Sequence, residues 1–290
     1  MKRIEDIVIA LCVVAMCVSC AGHGARSVAN KQIVVTIPPL AGLVEDIVGD
    51  DFQVVTLLPS GATPESYSPT ARQVAALGDA ELVFSVGTLS FEQELIQRFD
   101  NKSVVCVNKG VELLAGSCGH DHEEGHSHHH HAVDPHIWLS PRGLAKIVDN
   151  MAQAIAVKYP DSICYKVNSE ILMAKLAARA EAYSEVLRNA PKEFLIYHPA
   201  LGYLAREYGL EQIALENEGK NPTPSALADI VDKVQAEGVK VILYQQEYPL
   251  DVVKPIADVL GVNLVEINPL NKNIISELDR IVEQLANRNE

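Results

Sequence analysis

From residue 32 onward the chain alternates short, mostly apolar runs with segments whose apolar residues recur at helical spacing. Residues 33–37, 54–58, 82–86 and 104–107 are runs rich in β-branched side chains, and residues 40–48, 71–77 and 91–99 between them have the helical period. A strand that is apolar on both faces needs cover on both, and strands alternating with helices build parallel sheets. From Pro141 the period changes. Ser140 is a good N-cap, and Pro141 suits the first helical position, where its missing N–H would have no partner anyway. Leu144, Ile147, Val148, Met151 and Ile155 follow at helical spacing until Pro160. A second helical run, about 162–190, has no Gly or Pro, and its ~27 residues would stretch ~40 Å at 1.5 Å per residue. That is longer than a parallel crossover needs. After Pro191 the first pattern resumes, with strands at 194–197, 212–215, 239–244 and 264–267 and helices at 201–208, 225–236, 252–260 and 274–286.

The expectation is therefore an α/β protein: two βα lobes with parallel sheets, joined by a long rigid connecting helix. The boundaries fall at 32–140 for the N-terminal lobe, 141–191 for the helical segment and 192–290 for the C-terminal lobe. Ligands of open α/β sheets sit beyond the carboxyl ends of the strands, so the expected site is the cleft between the lobes.

The beginning of the chain reads differently. Lys2 and Arg3 precede an apolar run at 7–18. That is short of the ~20 apolar residues a membrane span takes and suits the core of a signal peptide. The run ends Cys17-Val18-Ser19-Cys20-Ala21-Gly22, which resembles a bacterial lipobox with Cys20 as the lipidated residue. Residues 1–19 are expected to be a signal peptide and 20–31 a lipidated tether. The mature chain then stands outside the cytoplasm, held to a bilayer on the periplasmic side or cell surface. Processing and anchoring leave Cys106, Cys118 and Cys164, an odd and widely spaced set that makes no disulfide framework. Cys106, inside an apolar run, is expected to be a buried strand residue. A formal charge of −14 argues against nucleic-acid binding and against electrostatic docking on anionic lipid.

Seven of the ten histidines lie in the acidic, Gly- and Ser-rich stretch within 117–132: His120, His122, His126, His128, His129, His130 and His131. Short His-rich tracts are compositional metal signals, because imidazole suits zinc and its neighbours. His122-Glu123-Glu124-Gly125-His126 matches the zinc-protease pattern H-E-x-x-H. That chemistry needs a packed helix, and this stretch has no apolar face. No phosphate loop or Ser-His-Asp arrangement stands out, so an enzyme is not expected. Outside the tract, His136 and His198 both fall at corner or strand-end positions. The loop after the second strand presents Glu65 between Pro64 and Ser66, and other strand ends present Gln246, Glu247 and Asn268. Two imidazoles and a carboxylate suit Zn2+ or, with more oxygens, Mn2+.

Four pieces carry a family resemblance: Gly61-Ala62-Thr63-Pro64-Glu65-Ser66-Tyr67-Ser68-Pro69, Asp134-Pro135-His136-Ile137-Trp138-Leu139-Ser140-Pro141, Tyr197-His198-Pro199-Ala200-Leu201-Gly202-Tyr203 and Ile267-Asn268-Pro269-Leu270. The chain resembles the solute-binding receptors of zinc and manganese ABC uptake systems, the ZnuA-like and TroA-like group, over nearly everything from Ile33 to Ala286. The resemblance implies a zinc-binding receptor, monomeric, that captures Zn2+ (Mn2+ as the alternative) and delivers it to an ABC-type membrane permease. It also implies metal ligation by Glu65, His136 and His198, completed by Asn268, Gln246 or Glu247. Glu65 stands where the family has a histidine, Asn268 where it has an aspartate, and Gln245-Gln246 where it has Glu-Pro. The His-rich loop would be an auxiliary metal site. A zinc store acting mainly through that loop is the other reading, and lipid-anchored receptors of this group can also act as adhesins.

Overall fold

The structure is a computed structural model that describes residues 31–98, 104–116, 133–216, 222–237, 239 and 241–287. The first lobe runs β1 (Gln32–Val35), α1 (Pro38–Val48), β2 (Gln53–Thr56), α2 (Ala71–Gly78), β3 (Leu82–Ser85), α3 (Ser90–Arg98) and β4 (Val104–Cys106). Two long helices follow, α4 (Pro141–Lys158) and α5 (Ile163–Leu187). The second lobe runs β5 (Glu193–Ile196), α6 (Gly202–Tyr208), β6 (Glu211–Ala214), α7 (Pro224–Glu237), β7 (Val241–Gln245), α8 (Leu250–Leu260), β8 (Asn263–Ile267) and α9 (Ile274–Asn287). Both sheets are four-stranded with every pairing parallel, in the orders β2-β1-β3-β4 and β6-β5-β7-β8. The second sheet thus repeats the topology of the first.

Local chemistry explains most boundaries. The helix expected from residue 40 starts two residues earlier, at Pro38 and Pro39. They open α1 at its first two positions, where a missing N–H costs nothing and φ is already helical. Ser140 caps α4 as expected, its hydroxyl accepting from the Gly143 N–H at 3.1 Å. A Cβ on Gly143 would run into the Ile137 carbonyl, so the glycine lets the first turn of α4 lie against the preceding corner. Cys106 departs from expectation: it is half-buried because β4 is an edge strand. Glu92 is fully buried, yet it is structural. Its carboxylate accepts from the N–H groups of Val86, Gly87 and Leu89 and so closes the loop after β3.

Helix α5 packs along α4, α1 and α9 and ties the lobes together. Its Arg179 makes a two-pronged pair with Asp279 of α9, and Tyr183 donates to the same carboxylate at 2.6 Å. The lobes also touch directly. The Trp138 indole, fully buried, donates to the Pro269 carbonyl at 2.8 Å. Lys272 pairs with Glu45 of α1. A Cβ on Gly42 would collide with the Lys272 carbonyl, so α1 and the loop after β8 are in backbone contact. Tyr203 of α6 donates to the Asp134 carbonyl at 2.8 Å. Among the described residues no helix is long and apolar enough to cross a membrane.

Candidate metal centre

Glu65 sits in the loop between β2 and α2. Tyr67 and Gln73 fasten that loop, both donating to the Leu57 carbonyl at 2.7 Å, and Thr70 and Gln73 form a capping box at the start of α2. Gly61, at φ +80°, supplies a left-handed turn that a side chain would strain. His136 sits in the corner before α4. Asp134 reaches both its backbone N–H, at 2.9 Å, and its ring Nδ1, at 2.8 Å. His198 follows β5 directly. The buried amide of Gln245 clamps its backbone from both sides, donating to His198 O at 2.6 Å and accepting from His198 N at 3.2 Å. Glu216, just beyond β6, takes the His198 Nδ1 at 2.6 Å, and the Tyr248 ring stacks on the imidazole at 5.7 Å.

A carboxylate can only accept, so Asp134 and Glu216 each hold the proton on Nδ1 and leave an Nε2 lone pair free. The two Nε2 atoms converge on one oxygen. Glu65 Oε1 lies 3.9 Å from His136 Nε2 and 3.7 Å from His198 Nε2, and the three ligand atoms all lie within 4.8 Å of one another. Ligands at ~2.0–2.1 Å from a tetrahedral zinc ion stand ~3.3 Å apart, so each imidazole–carboxylate separation would have to shorten by about 0.4–0.6 Å to close on an ion. The cavity they line is about 20 Å3, room for one water-sized occupant. His198 Nε2 is buried without a hydrogen-bond partner, which is costly unless something binds it. Burial alone would lower the His198 pKa. The Glu216 hydrogen bond, with the negative charge of Glu65, Glu216 and Asp134, outweighs burial and holds the ring above its ordinary value.

The sequence profile of the family described as zinc-uptake complex component A, periplasmic (ZnuA) matches residues 33–287. The chain belongs to the ZnuA family. The high-affinity zinc uptake system protein ZnuA of Bacillus subtilis is 32% identical over 294 residues, covering 94% of this chain and 90% of that protein. The zinc-binding lipoprotein AdcA of Streptococcus pneumoniae is 29% identical over 286 residues, covering 93% of this chain and 56% of the relative. The chain thus spans about half the length of the AdcA relatives it matches. Among solved structures, one of ZnuA superposes with a TM-score of 0.80 at 28% identity, over 90% of this chain and all of that one. Zn(II)-bound AdcA from Streptococcus pneumoniae superposes at 0.75 and 26% identity, over 90% of this chain and 58% of that one. ZnuA-family proteins are solute-binding receptors rather than enzymes.

Within this ZnuA-family cleft the remaining candidates separate. Glu247 lines the same cavity as Glu65, His136 and His198. One of its carboxylate oxygens is buried without a partner. Burial raises its pKa and the neighbouring Glu65 charge pushes in the same direction, against a backbone hydrogen bond and His198, which favour the charged form. Asn268 points its chemistry elsewhere: its side-chain oxygen accepts from the Leu270 N–H at 3.1 Å, and it is not among the cavity's lining residues. Gln246 contributes its backbone N–H to the Ile267 carbonyl and does not line the cavity either. The seven tract histidines, Cys118 and Cys20 lie outside the described residues. Sequence reasoning assigned no role to Asp134, Glu216, Gln245 or Tyr248. Asp134 stands two residues before His136, in the same corner, and Glu216 follows the end of β6, so a search of strand ends for carboxylates would have found Glu216.

Proposed function

We propose that this protein is a high-affinity zinc receptor. It captures Zn2+ outside the cytoplasm, in the cleft between its lobes, and delivers it to the membrane permease of an ABC-type uptake system. The observation that carries this is the convergence of two imidazole Nε2 lone pairs and the Glu65 carboxylate on one small cavity. Glu65, His136 and His198 hold the ion and Glu247 completes a four-ligand shell. Two neutral imidazoles with two carboxylates neutralise a divalent charge. The zinc-binding names of the relatives support the choice of ion and, with the lipobox at Cys20, a lipid-anchored receptor outside the cytoplasm. The His-rich loop, on this reading, gathers zinc without forming the tight site. The second carboxylate, Glu247, favours one further cargo: oxygen ligands suit Mn2+, so manganese is the competing ion.

The test is calorimetric titration of the chain with Zn2+ and with Mn2+, beside a His136→Ala/His198→Ala double variant and a deletion of residues 119–131. One tight zinc event that persists in the deletion and disappears in the double variant is the expected result. A tight event that leaves with the deleted loop makes the protein a zinc store. Tighter manganese than zinc makes it a manganese receptor.

A further inference from the structure

Helix α5 carries apolar residues on two faces. One face, including Leu172, Leu176 and Leu187, is buried against the body of the protein. The other presents Ile163, Val167 and Ile171, which are 75%, 43% and 62% exposed. Their spacing of four places them in one row along the helix. Beside that row, a groove of about 520 Å3 runs between α4 and α5, lined by Ala152, Ala156, Tyr159, Ile163 and Met173 among others. Val157, in the last turn of α4, is 85% exposed. Scattered exposed side chains need no explanation, but a contiguous apolar ridge and groove mark an interaction surface.

The course of the chain says what covers it. Lys31, the first described residue, lies over the ring of Tyr159 at 5.3 Å, and Tyr159 lines the groove. The polypeptide therefore enters the fold at the groove's edge. Cys20 stands eleven residues before Lys31. A chain of that length spans at most ~36–40 Å at 3.3–3.6 Å per residue. A lipid on Cys20 would keep this edge of the fold within that distance of the bilayer. The charges around the ridge also suit it. Exposed Lys31, Lys158, Lys166 and Lys175 nearly balance exposed Asp51, Asp149, Asp161 and Glu170 and half-buried Glu81, the partner of Lys158, whereas the whole chain carries −14. This face is repelled by anionic headgroups less than the protein as a whole.

We infer that the ridge Ile163–Val167–Ile171, with Val157 and the α4–α5 groove, docks on the lipid bilayer to which the chain is anchored. The inference rests on the anchored-receptor reading given above. Docking also sets the orientation of the receptor. The groove lies at the end of the molecule where β1 begins, and the candidate ligands lie beyond the carboxyl ends of the strands. The docked receptor holds its cleft away from the membrane, open to arriving metal, and must lift off its ridge to present the cleft to a permease.

Trp138, the only tryptophan, is fully buried, so an introduced indole reports its own surroundings. The full chain is produced with its lipid, as Ile163→Trp and Val167→Trp variants, in vesicles of phosphatidylethanolamine and phosphatidylglycerol carrying brominated acyl chains. Val259→Trp, at an exposed position on α8, is the control. Strong bromine quenching at 163 and 167 with little at 259 is expected. Adding Ile163→Asp and Ile171→Asp to the Val167→Trp chain should cut its quenching to the control level without releasing the protein from vesicles. Flotation with the vesicles but equal quenching at all three positions overturns docking and leaves the anchor standing. Failure to float overturns both. Concentration-dependent dimerisation without vesicles, abolished by the two aspartates, assigns the ridge to a second copy of the chain and overturns the lipid assignment.

Discussion

Glu216 grips the Nδ1 edge of His198 at 2.6 Å, although the two residues follow different strands of the second sheet. The contact fixes the tautomer and aims Nε2 at the cavity. Partners of this kind typically change metal affinity by about 10- to 100-fold. Glu216→Gln keeps the shape but loses the charge, so zinc affinity should drop within that range while the fold persists. Calorimetric titration with circular dichroism on the same samples checks it. Unchanged affinity would show that the His198 orientation is set by Gln245 and Tyr248 alone.

The fourth ligand is distinguishable by two substitutions. Glu247→Gln should weaken zinc binding by about tenfold or more, because it removes a charged donor. Asn268→Ala should leave affinity unchanged, because the Asn268 oxygen is already engaged by the Leu270 N–H. The reverse pattern would move the fourth ligand to Asn268 and require the loop after β8 to rearrange on binding.

Acidity acts with opposite signs on binding and on metal-free stability. Zinc needs His198 and Glu247 unprotonated, and both hold protons more firmly than usual in the fold. Affinity should fall with pH, beginning above the ordinary histidine value of 6.5. Without metal, the folded chain binds more protons at these groups than the unfolded chain does, so stability decreases as pH rises. The His198 contribution is fully present below pH 6.5 and is lost as pH climbs through the higher folded-state value. Thermal melts from pH 6.5 to about 8 should show the metal-free midpoint falling and the zinc-loaded midpoint rising. A metal-free midpoint that rises with pH would contradict this arrangement of charges.

The contacts between lobes predict little movement on binding. Trp138 with Pro269, Lys272 with Glu45 and Tyr203 with Asp134 bind the lobes on more than one side of the cleft. Solution scattering should give nearly the same radius with and without zinc. Trp138→Phe leaves the Pro269 carbonyl without its donor, at a cost of about 1–3 kcal/mol, and should loosen the metal-free form measurably. A large compaction of the wild-type chain on adding metal would show that these contacts form only in the loaded state.

The architecture was legible because each strand announces itself locally. Residues 82–85 and 104–106 are apolar enough to read without partners, and the absence of Gly and Pro across 163–187 marks α5 directly. The start of α1 was less legible, because proline both ends strands and begins helices, and the helical spacing of apolar residues begins only at Leu40. Cys106 misled because a strand's place at a sheet edge is set by distant pairing. The site was half legible for a related reason. Glu65, His136 and His198 carry ligand chemistry at strand ends, which sequence shows. The choice among Gln246, Glu247 and Asn268 depends on which way neighbouring side chains turn, which it does not. Asp134 and Glu216 act on other side chains rather than on a ligand, so residue type alone did not single them out.

The side chains of His136 and His198 are almost covered, at 8% and 17% exposure, whereas that of Glu65 stands 44% open to water. If the cavity fills as proposed, the imidazoles form a fixed floor and Glu65 is a bond that solvent reaches far more readily than theirs. Exchange of the ion then proceeds as an ordered peeling: water displaces Glu65 first, and the residence time of the metal is governed by how often that single carboxylate lets go.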